Sequence, residues 1–187
     1  MASESKAAET ALILRAQTGT DDGAIARLVA MHQSKVRTFL QRLCHDTSTS
    51  DDLAQDVFLI ALQKLPQFRG DCRFHTWLCS IAYRCFLQWQ RQQQREQEVH
   101  HIYLGEQLAH TDRYDNISPE QVAVEKALLQ LHEKEAAALT LHYTLDCSHG
   151  EIAHIMQLPP GTVKSHILRG REKLRVLLTD TTIEKAS

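Results

Sequence analysis

The sequence has little glycine, little proline and few aromatic residues. Glycine and proline contribute 7 and 4 of the 187 residues, and aromatic side chains only 6%. Together with long stretches of helical apolar periodicity, this scarcity favours an all-α protein. No apolar run approaches the roughly 18 residues that a membrane-spanning helix needs. The opening residues 1–6 lack the apolar stretch of a signal peptide, so we expect a cytoplasmic protein with no direct membrane insertion.

The sequence also lacks the usual signatures of disulfides, metals and catalysis. The five cysteines are odd in number and form no CxxC pair, which favours reduced, mostly buried thiols. Cys72, His75 and Cys79 are spaced i, i+3 and i+7, and the chain has eleven histidines, so a metal-binding sensor stays open as an alternative. No HExxH, Gly-rich phosphate loop or nucleophile elbow occurs. We therefore expect no catalytic residues, no metal and no cofactor.

Charge is distributed unevenly along a chain whose net charge is only −2. Residues 69–95 contain five arginines against one aspartate, and residues 164–175 contain five basic residues against one glutamate. An acidic segment at 46–56 precedes the first basic stretch, and a second one at 96–125 lies between the two basic stretches. Two basic patches divided by acidic segments predict two separate contacts with a polyanion such as DNA.

Apolar periodicity divides the chain into two helical domains. We predict a first domain over 1–97, a polar linker over 98–118, a second domain over 119–178 and a frayed tail over 179–187. In the first domain, Ser50 or Asp51 is the expected N-cap of a helix that ends near Pro66, and a long helix follows over about 73–97. In the second domain, Ser118 is the expected N-cap of the first of four helices, at about 119–131, 133–144, 149–156 and 160–178.

The segment from Ser148 to Leu174 predicts a helix-turn-helix. Its second helix places an apolar stripe on one side, formed by Val163, Ile167, Gly170 and Leu174. An outward leucine, Leu168, among basic and hydroxyl side chains is unusual on a merely solvated helix. Such a leucine could contact the methyl group of a thymine. We therefore favour DNA recognition over an ordinary surface helix. The outward side chains are Thr162, Lys164, Ser165, Leu168, Arg169 and Arg175.

Two helices of the first domain carry further patterns. The helix over 51–65 is apolar on two faces, which indicates either deep burial or a bound partner. In the helix that follows, Trp77 borders a basic stripe and Tyr83 is expected further round the exposed side. Arginines edged with aromatic rings suit single-stranded or opened DNA. The stripe comprises Arg73, Ser80, Arg84, Arg91 and Arg95.

These segments resemble the extracytoplasmic-function (ECF) group of bacterial sigma factors over nearly the whole chain. Residues 51–58, DDLAQDVF, resemble region 2.2, which binds the polymerase clamp. Residues 68–82, FRGDCRFHTWLCSIA, resemble regions 2.3 and 2.4, which open and read the −10 element. Ser118-Pro-Glu resembles the start of region 4, and residues 151–165 resemble its −35-reading helix-turn-helix.

The resemblance implies a function and a set of site residues. It implies binding to the β′ clamp and β flap of core RNA polymerase, recognition of promoter DNA, and control by an anti-sigma factor. Asp52, Gln55, Asp56 and Phe58 would face the polymerase. Arg73, Trp77 and Arg84, joined by Ser80 and Arg91 of the basic stripe, would contact the −10 strand. The −35 set would be Thr162, Lys164, Ser165, His166, Leu168, Arg169 and Arg175.

The chain departs from the usual family pattern at several positions, and one DNA-binding alternative remains open. A LuxR-type regulator has a similar helix-turn-helix but would not supply the blocks at 51–58 and 68–82. The departures are Ser80 for arginine, Arg84 for asparagine, Asp146 for the glycine before the helix-turn-helix, His166 for arginine, and Leu131-His132 for Leu-Pro.

Overall fold

A computed structural model describes residues 2–19, 21–101 and 119–184, and within them every regular element is helical, as predicted. The first domain consists of α1 (Ala2–Thr18), α2 (Asp22–Cys44), α3 (Thr47–Lys64) and α4 (Phe74–His101), with a 3₁₀ turn at Leu65–Gln67. The second consists of α5 (Pro119–Leu128), α6 (Glu133–Leu139), α7 (His149–Met156) and α8 (Pro160–Glu184). Helix α6 continues as a π-helical turn over Thr140–Thr144.

The core of each domain is built from the inward stripes of these helices. Phe39, Leu40, Val57 and Leu78 are among the buried side chains in the first domain. The side-chain amide of Gln17 donates to the carbonyls of Leu65 (2.9 Å) and Phe68 (2.7 Å), which ties α1 to the turn before α4. The second domain is centred on Leu141, Ile152, Ile155 and Val163. None of the described helices is long and apolar enough to cross a membrane.

Helix α3 begins earlier than predicted, because Asp46 rather than Ser50 or Asp51 is its N-cap. Asp46 has an extended backbone, and its carboxylate accepts from the Thr49 backbone N–H at 2.6 Å. Ser50 is buried inside the helix, where its hydroxyl donates to the Thr47 carbonyl at 2.9 Å. The Thr-Ser-Thr-Ser run contains several residues that can cap, so the local signal did not single out the first of them.

We expect Asp46→Ala to lower the free energy of unfolding by about 1 kcal/mol, because an N-terminal backbone donor loses its acceptor. Asp51→Ala is the matched control, since Asp51 lies inside α3 and makes a partly exposed ion pair with Arg37 at 3.2 Å. The control should cost less than about 0.5 kcal/mol. Urea unfolding of both variants measures the difference, and a larger loss for Asp51→Ala would contradict the observed cap.

Several helix ends also differ from the prediction. Helix α1 starts at Ala2, where the apolar pattern predicts a short helix only from about residue 9; α4 continues through residues 98–101 of the predicted linker, and α8 continues to Glu184. The tail predicted to fray from Thr179 is therefore helical as far as Glu184. No glycine or proline interrupts α8 after Gly170, so helix propagation has no local stop signal there. The predicted Ser118 cap lies outside the described residues.

Candidate nucleic-acid interface

The turn before α7 and the start of that helix are defined by local hydrogen bonds. The Ser148 hydroxyl accepts from the Glu151 N–H at 3.3 Å, while the Glu151 carboxylate accepts from the Ser148 N–H at 3.0 Å. This reciprocal capping box fixes the first turn of α7. Gln157, in the left-handed region at φ 55°, ends the helix. Pro160 then starts α8, where its missing N–H costs no hydrogen bond.

Two of the unusual positions before α7 have a structural explanation. Asp146 adopts φ 51°, the left-handed conformation that glycine tolerates best and that aspartate adopts more readily than most residues. His132 stands where the resemblance has proline, and it is the N-cap of α6, accepting from the Lys134 N–H at 3.3 Å. Both substitutions keep the backbone of the second domain in the conformation that its packing requires.

Helix α8 presents the two faces that the sequence predicted. Val163 and Ile167 are buried, Gly170 lies against α6, and Leu174 is half-buried. On the other side, Leu168 is 58% exposed. Lys164, Ser165, Arg169 and Arg175 are also exposed, whereas Thr162 and His166 are half-buried. Most of the predicted −35 residues therefore share one accessible surface.

A buried carboxylate of α6 orients the basic side chains of α8. Glu135 is 5% exposed; one of its oxygens lies 2.7 Å from Lys173 Nζ and the other 3.9 Å from Arg169 Nε. Burial raises the pKa of Glu135, but the hydrogen bond and charge of Lys173 outweigh it, so the pKa lies below its ordinary value. Arg175 pairs with Glu172 at 2.7 Å on the exposed surface. The basic face is thus partly organised before any ligand binds.

The basic stripe of α4 has exposed arginines and one buried member, Ser80. Arg84 and Arg91 are exposed, and half-buried Trp77 packs against Phe68 with ring centroids 5.0 Å apart. Ser80 is only 2% exposed in this arrangement of the chain, and its contact with the −10 strand stays a prediction. Its hydroxyl donates to the Trp77 carbonyl at 2.7 Å and accepts from Arg84 Nη2 at 3.0 Å. Here Ser80 therefore helps to position Arg84.

Tyr83 is also buried, contrary to the prediction that it lies on the exposed side, and so are the neighbouring His75 and Cys79. Tyr83 is 3% exposed, His75 8% and Cys79 1%. Burial, with Glu133 of the second domain nearby, raises the pKa of Tyr83 to about 12. The helical period correctly placed these residues away from the first domain's own apolar stripe. It could not show that the second domain covers them.

Helix α3 carries the residues predicted to face the polymerase. Asp52, Gln55 and Asp56 are exposed and Phe58 is half-buried. One face of α3 is buried in the first domain, while Leu59 is 58% and Leu62 37% exposed on the other. Burial therefore accounts for only one of its two apolar faces. Exposed leucines beside carboxylates leave the second face available to a partner.

The two domains meet through Glu151, a contact that the sequence did not reveal. Arg73 Nε donates to one carboxylate oxygen of Glu151 at 2.6 Å, and Arg73 Nη2 donates to the other at 2.5 Å. The Thr76 hydroxyl donates to the same carboxylate at 2.7 Å. Burial raises the pKa of Glu151, but the hydrogen bonds from Arg73, Ser148 and Thr76 hold it well below its ordinary value. The glutamate that caps α7 therefore also binds α4.

Further contacts extend this interface along both domains. Arg42 Nε of α2 donates to Glu125 of α5 at 3.2 Å, and the Arg42 guanidinium also contacts Thr144. Gln90 of α4 contacts Glu133 of α6. The Cys147 sulfur lies 3.3 Å from His75 Nε2. These polar contacts join α2 and α4 of the first domain to the second domain, beside buried apolar side chains of both.

The free energy of unfolding is expected to fall in mild acid because His75 is buried at the interface between the two domains. Burial lowers the pKa of His75 below 6.5, the nearby charges of Arg73 and Lys35 lower it further, and Glu151 opposes them. The unfolded chain thus binds more protons as pH drops below about 6.5, so folding stability decreases in that direction. The matched variant His75→Gln should lose less stability than the wild type between about pH 7.5 and 5.5.

Urea unfolding at the two pH values measures this difference. Buried His32 also has a lowered pKa and titrates in both proteins, so the variant retains part of the acid sensitivity. Equal losses in the wild type and in His75→Gln would show that His75 is not kept neutral by burial.

The candidate metal ligands do not converge in the structure. Within the described residues, no group of three or more His, Cys, Asp or Glu side chains is placed to hold a metal ion. Cys72 is half-buried, whereas Cys79 is buried, where burial strongly raises its pKa. All five cysteines are free thiols. His75 and Cys79 are both buried where α4 packs against its neighbours.

Together, these features define a two-domain helical protein with a helix-turn-helix in one domain and an arginine-aromatic helix in the other. The model for Sigma-70 region 2 matches residues 28–96, and the model for Sigma-70, region 4, matches residues 121–174. The chain belongs to the sigma-70 family and is of the ECF type. It is an alternative sigma factor that directs promoter-specific transcription.

Similar proteins extend over most of the chain. The RNA polymerase sigma-H factor of Pseudomonas aeruginosa is 33% identical over 185 residues, covering 87% of this chain and 90% of the relative. The ECF RNA polymerase sigma-E factor of Escherichia coli K12 is 33% identical over 175 residues. That alignment covers 87% of this chain and 90% of the relative. The region 2 match argues against a LuxR-type regulator, which would not supply that domain.

Solved structures share the fold. The sigma factor RpoE of Bartonella quintana, in complex with the anti-sigma factor NepR, has a TM-score of 0.69 at 24% identity. That alignment covers 82% of this chain and 96% of the other. CnrH in complex with the cytosolic domain of CnrY has a TM-score of 0.68 at 24% identity. That alignment covers 92% of this chain and 98% of the other.

Proposed function

We propose that the outward face of α8 reads the −35 element in the major groove of duplex DNA. The observation that carries this proposal is the 58% exposure of Leu168 between Ser165 and Arg169 on a helix whose opposite stripe is buried. An apolar side chain in this setting can contact a thymine methyl group, while the guanidinium donates to a base edge or phosphate. Lys164 and Arg175 add phosphate contacts, and Thr162 and His166 lie at the edge of the face.

The exposed basic stripe of α4 is proposed to hold the opened −10 strand. Arg84 and Arg91 are accessible for phosphates, and Trp77 offers a ring beside them for base stacking. Arg73 belongs to the same set but is held by Glu151 in the closed arrangement of the domains. Ser80 belongs to the same set and is buried in this arrangement, where it hydrogen-bonds the Arg84 guanidinium.

We place the polymerase contact on α3. The exposed carboxylates of Asp52 and Asp56, together with Gln55, lie on the same helix as exposed Leu59. Half-buried Phe58 lines an apolar pocket between α2, α3 and α4. Phe58 therefore lies at the edge of the surface formed by these exposed α3 side chains. A mixed acidic and apolar surface suits a protein partner better than DNA. The core enzyme's clamp would bind here, and its flap would contact the second domain.

Partners and cellular role follow from the family and remain proposals for this chain. Two neighbours of the same fold are structures of complexes, one with the anti-sigma factor NepR and one with the cytosolic domain of CnrY. We propose that a protein of that class also binds this chain in the cytoplasm. The chain itself would catalyse no reaction, since RNA synthesis belongs to the polymerase.

Run-off transcription with core RNA polymerase and this chain over a promoter library tests the proposal. Enriched promoters would share an upstream and a downstream element, and Leu168→Ala should change the preferred bases of the upstream element alone. Asp52→Lys with Asp56→Lys should weaken binding to core enzyme without changing either element. Enrichment of a single element, or loss of downstream specificity on changing Leu168, would contradict the assignment of α8.

A further inference from the structure

We propose that Glu135 of α6 sets how strongly α8 discriminates between −35 sequences, because it positions Arg169 without contacting DNA itself. The inference rests on the proposed −35 role of α8. Glu135 is only 5% exposed, so it lies beneath the recognition face and not on it. One of its carboxylate oxygens lies 2.7 Å from Lys173 Nζ, and the other lies 3.9 Å from Arg169 Nε. A buried carboxylate of α6 therefore faces two cations of α8.

The geometry of α8 brings both cations to this carboxylate. Arg169 and Lys173 are four residues apart, so they lie on the same side of the helix. Gly170 lies on the buried side between them, and a Cβ atom there would be 3.2 Å from Glu135 Cβ. The missing side chain lets α8 approach α6 closely enough for one carboxylate to reach two consecutive turns. Glu135 is thus a fixed negative charge built into the packing of the two helices.

The two cations interact differently with this charge. Lys173 makes the direct ion pair, which holds its ammonium group against α6. Arg169 stays 59% exposed, and its Nε donates to the Ser165 carbonyl at 3.3 Å while Glu135 attracts the guanidinium from the buried side. A long side chain that is already restricted loses less conformational entropy when it binds one base edge. Arg169 should therefore discriminate between bases better with Glu135 than without it.

A third side chain near the carboxylate does not compete for it. His166 is half-buried one turn before Gly170. Burial lowers the pKa of His166, the charge of Arg169 lowers it further, and Glu135 opposes them. The imidazole is therefore mostly uncharged at neutral pH. Removing the charge of Glu135 should act on Arg169 and Lys173: the arginine loses a restraint, and the lysine is released to bind a phosphate.

This role predicts two changes of opposite sign in one variant, Glu135→Gln, assembled with core polymerase. The affinity for promoter DNA with a scrambled upstream element should rise about two- to fivefold, because Lys173 gains a phosphate contact. The preference for the upstream element enriched from the promoter library over the scrambled one should fall about three- to tenfold, because Arg169 is less well positioned. Damage to the second domain would instead weaken binding to both DNAs.

Two further variants separate positioning from charge and from folding. Glu172→Gln also removes one negative charge from the second domain, but Glu172 is exposed and pairs with Arg175 on the surface. Its preference for the enriched element should equal that of the wild type. Glu135→Met/Lys173→Met replaces the ion pair by apolar side chains of similar length, which should keep the two helices packed. It should lose the preference as Glu135→Gln does, without the gain in affinity for scrambled DNA.

Fluorescence anisotropy with labelled promoter fragments gives the affinities, and thermal unfolding of the free chains checks that each variant is folded. If Arg169→Ala loses the preference but Glu135→Gln keeps it, this inference is wrong and the recognition face of α8 stands. An equal loss in Glu172→Gln would assign the effect to net charge and overturn positioning. If Arg169→Ala and Leu168→Ala both keep the preference, the recognition face itself is wrong.

Discussion

Replacing Gly170 by leucine is expected to lower the free energy of unfolding of the second domain by about 3 kcal/mol, because α8 approaches α6 too closely for a side chain there. A Cβ atom at Gly170 would lie 2.8 Å from Leu139 Cδ1 and 3.2 Å from Glu135 Cβ. Leu139 is 3% exposed and Glu135 5%, so neither side chain can move far enough to make room for a leucine. The longer leucine side chain cannot be accommodated without separating the two helices.

The matched control is Gly161→Leu near the start of the same helix, where no atom lies within 4 Å of an added Cβ. This variant should change the free energy of unfolding by less than about 0.5 kcal/mol, since surface substitutions usually have small effects. Thermal or urea unfolding of both variants provides the comparison. Similar losses at the two positions would mean that general helix preferences, and not close approach of α6, determine the effect at Gly170.

Gly170→Ala should show a smaller effect than Gly170→Leu. Alanine raises helix propensity by about 1 kcal/mol relative to glycine, which offsets part of the steric cost of its Cβ. The atom nearest to the added Cβ is Leu139 Cδ1, at the far end of a side chain, and a small displacement of that atom relieves the contact. We therefore expect a net change near zero for alanine, and a graded response to side-chain size would support packing as the cause.

Arg169→Ala should weaken binding of the holoenzyme to the −35 element by about 1–3 kcal/mol if the guanidinium contacts a base. This loss corresponds to roughly a 5- to 150-fold higher Kd. Arg169 is exposed on the same face as Leu168 and Ser165, and its Nε donates to the Ser165 carbonyl at 3.3 Å. A carboxylate oxygen of Glu135 lies 3.9 Å from the same Arg169 Nε. These contacts hold the guanidinium on the exposed face of α8.

Arg171→Ala is the matched control for this experiment. Arg171 is exposed on the same helix and carries the same charge, but two residues of α-helix rotate it about 200° from Arg169. Its loss should alter overall affinity slightly and leave the discrimination between −35 sequences unchanged. Binding assays over a set of −35 point variants distinguish the two. If both arginine variants lost discrimination equally, the proposed recognition face would be wrong.

Much of the second domain was predictable because its signals are local. The apolar stripe of α8, starting from Val163 and Ile167, follows directly from the 100° rotation of a helix per residue. The capping sequence Ser148-x-x-Glu151 and the prolines before α8 define the turn between α7 and α8 without help from distant residues. The resemblance carried by these motifs identified the family, and the family models confirm it.

Predictions of exposure failed where a second element covers the first. Ser80 and Tyr83 lie on the polar side of the α4 pattern, yet they are 2% and 3% exposed. A helical period shows which residues point away from the helix's own core stripe. It carries no information about whether another domain packs there. The same limit explains why the sequence showed Glu151 only as the first residue of the helix-turn-helix motif and not as a partner of Arg73.

The sequence by itself determined the all-α fold, the order of the helices, the buried and exposed faces of α8 and the family. These properties depend on residues close together in the chain, whose spacing sets both helix faces and caps. Only the tertiary structure decided that the two domains close on each other and that Arg73 binds Glu151 across 78 residues of sequence. That pairing depends on which polar surfaces meet after each domain has folded, and no local pattern encodes it.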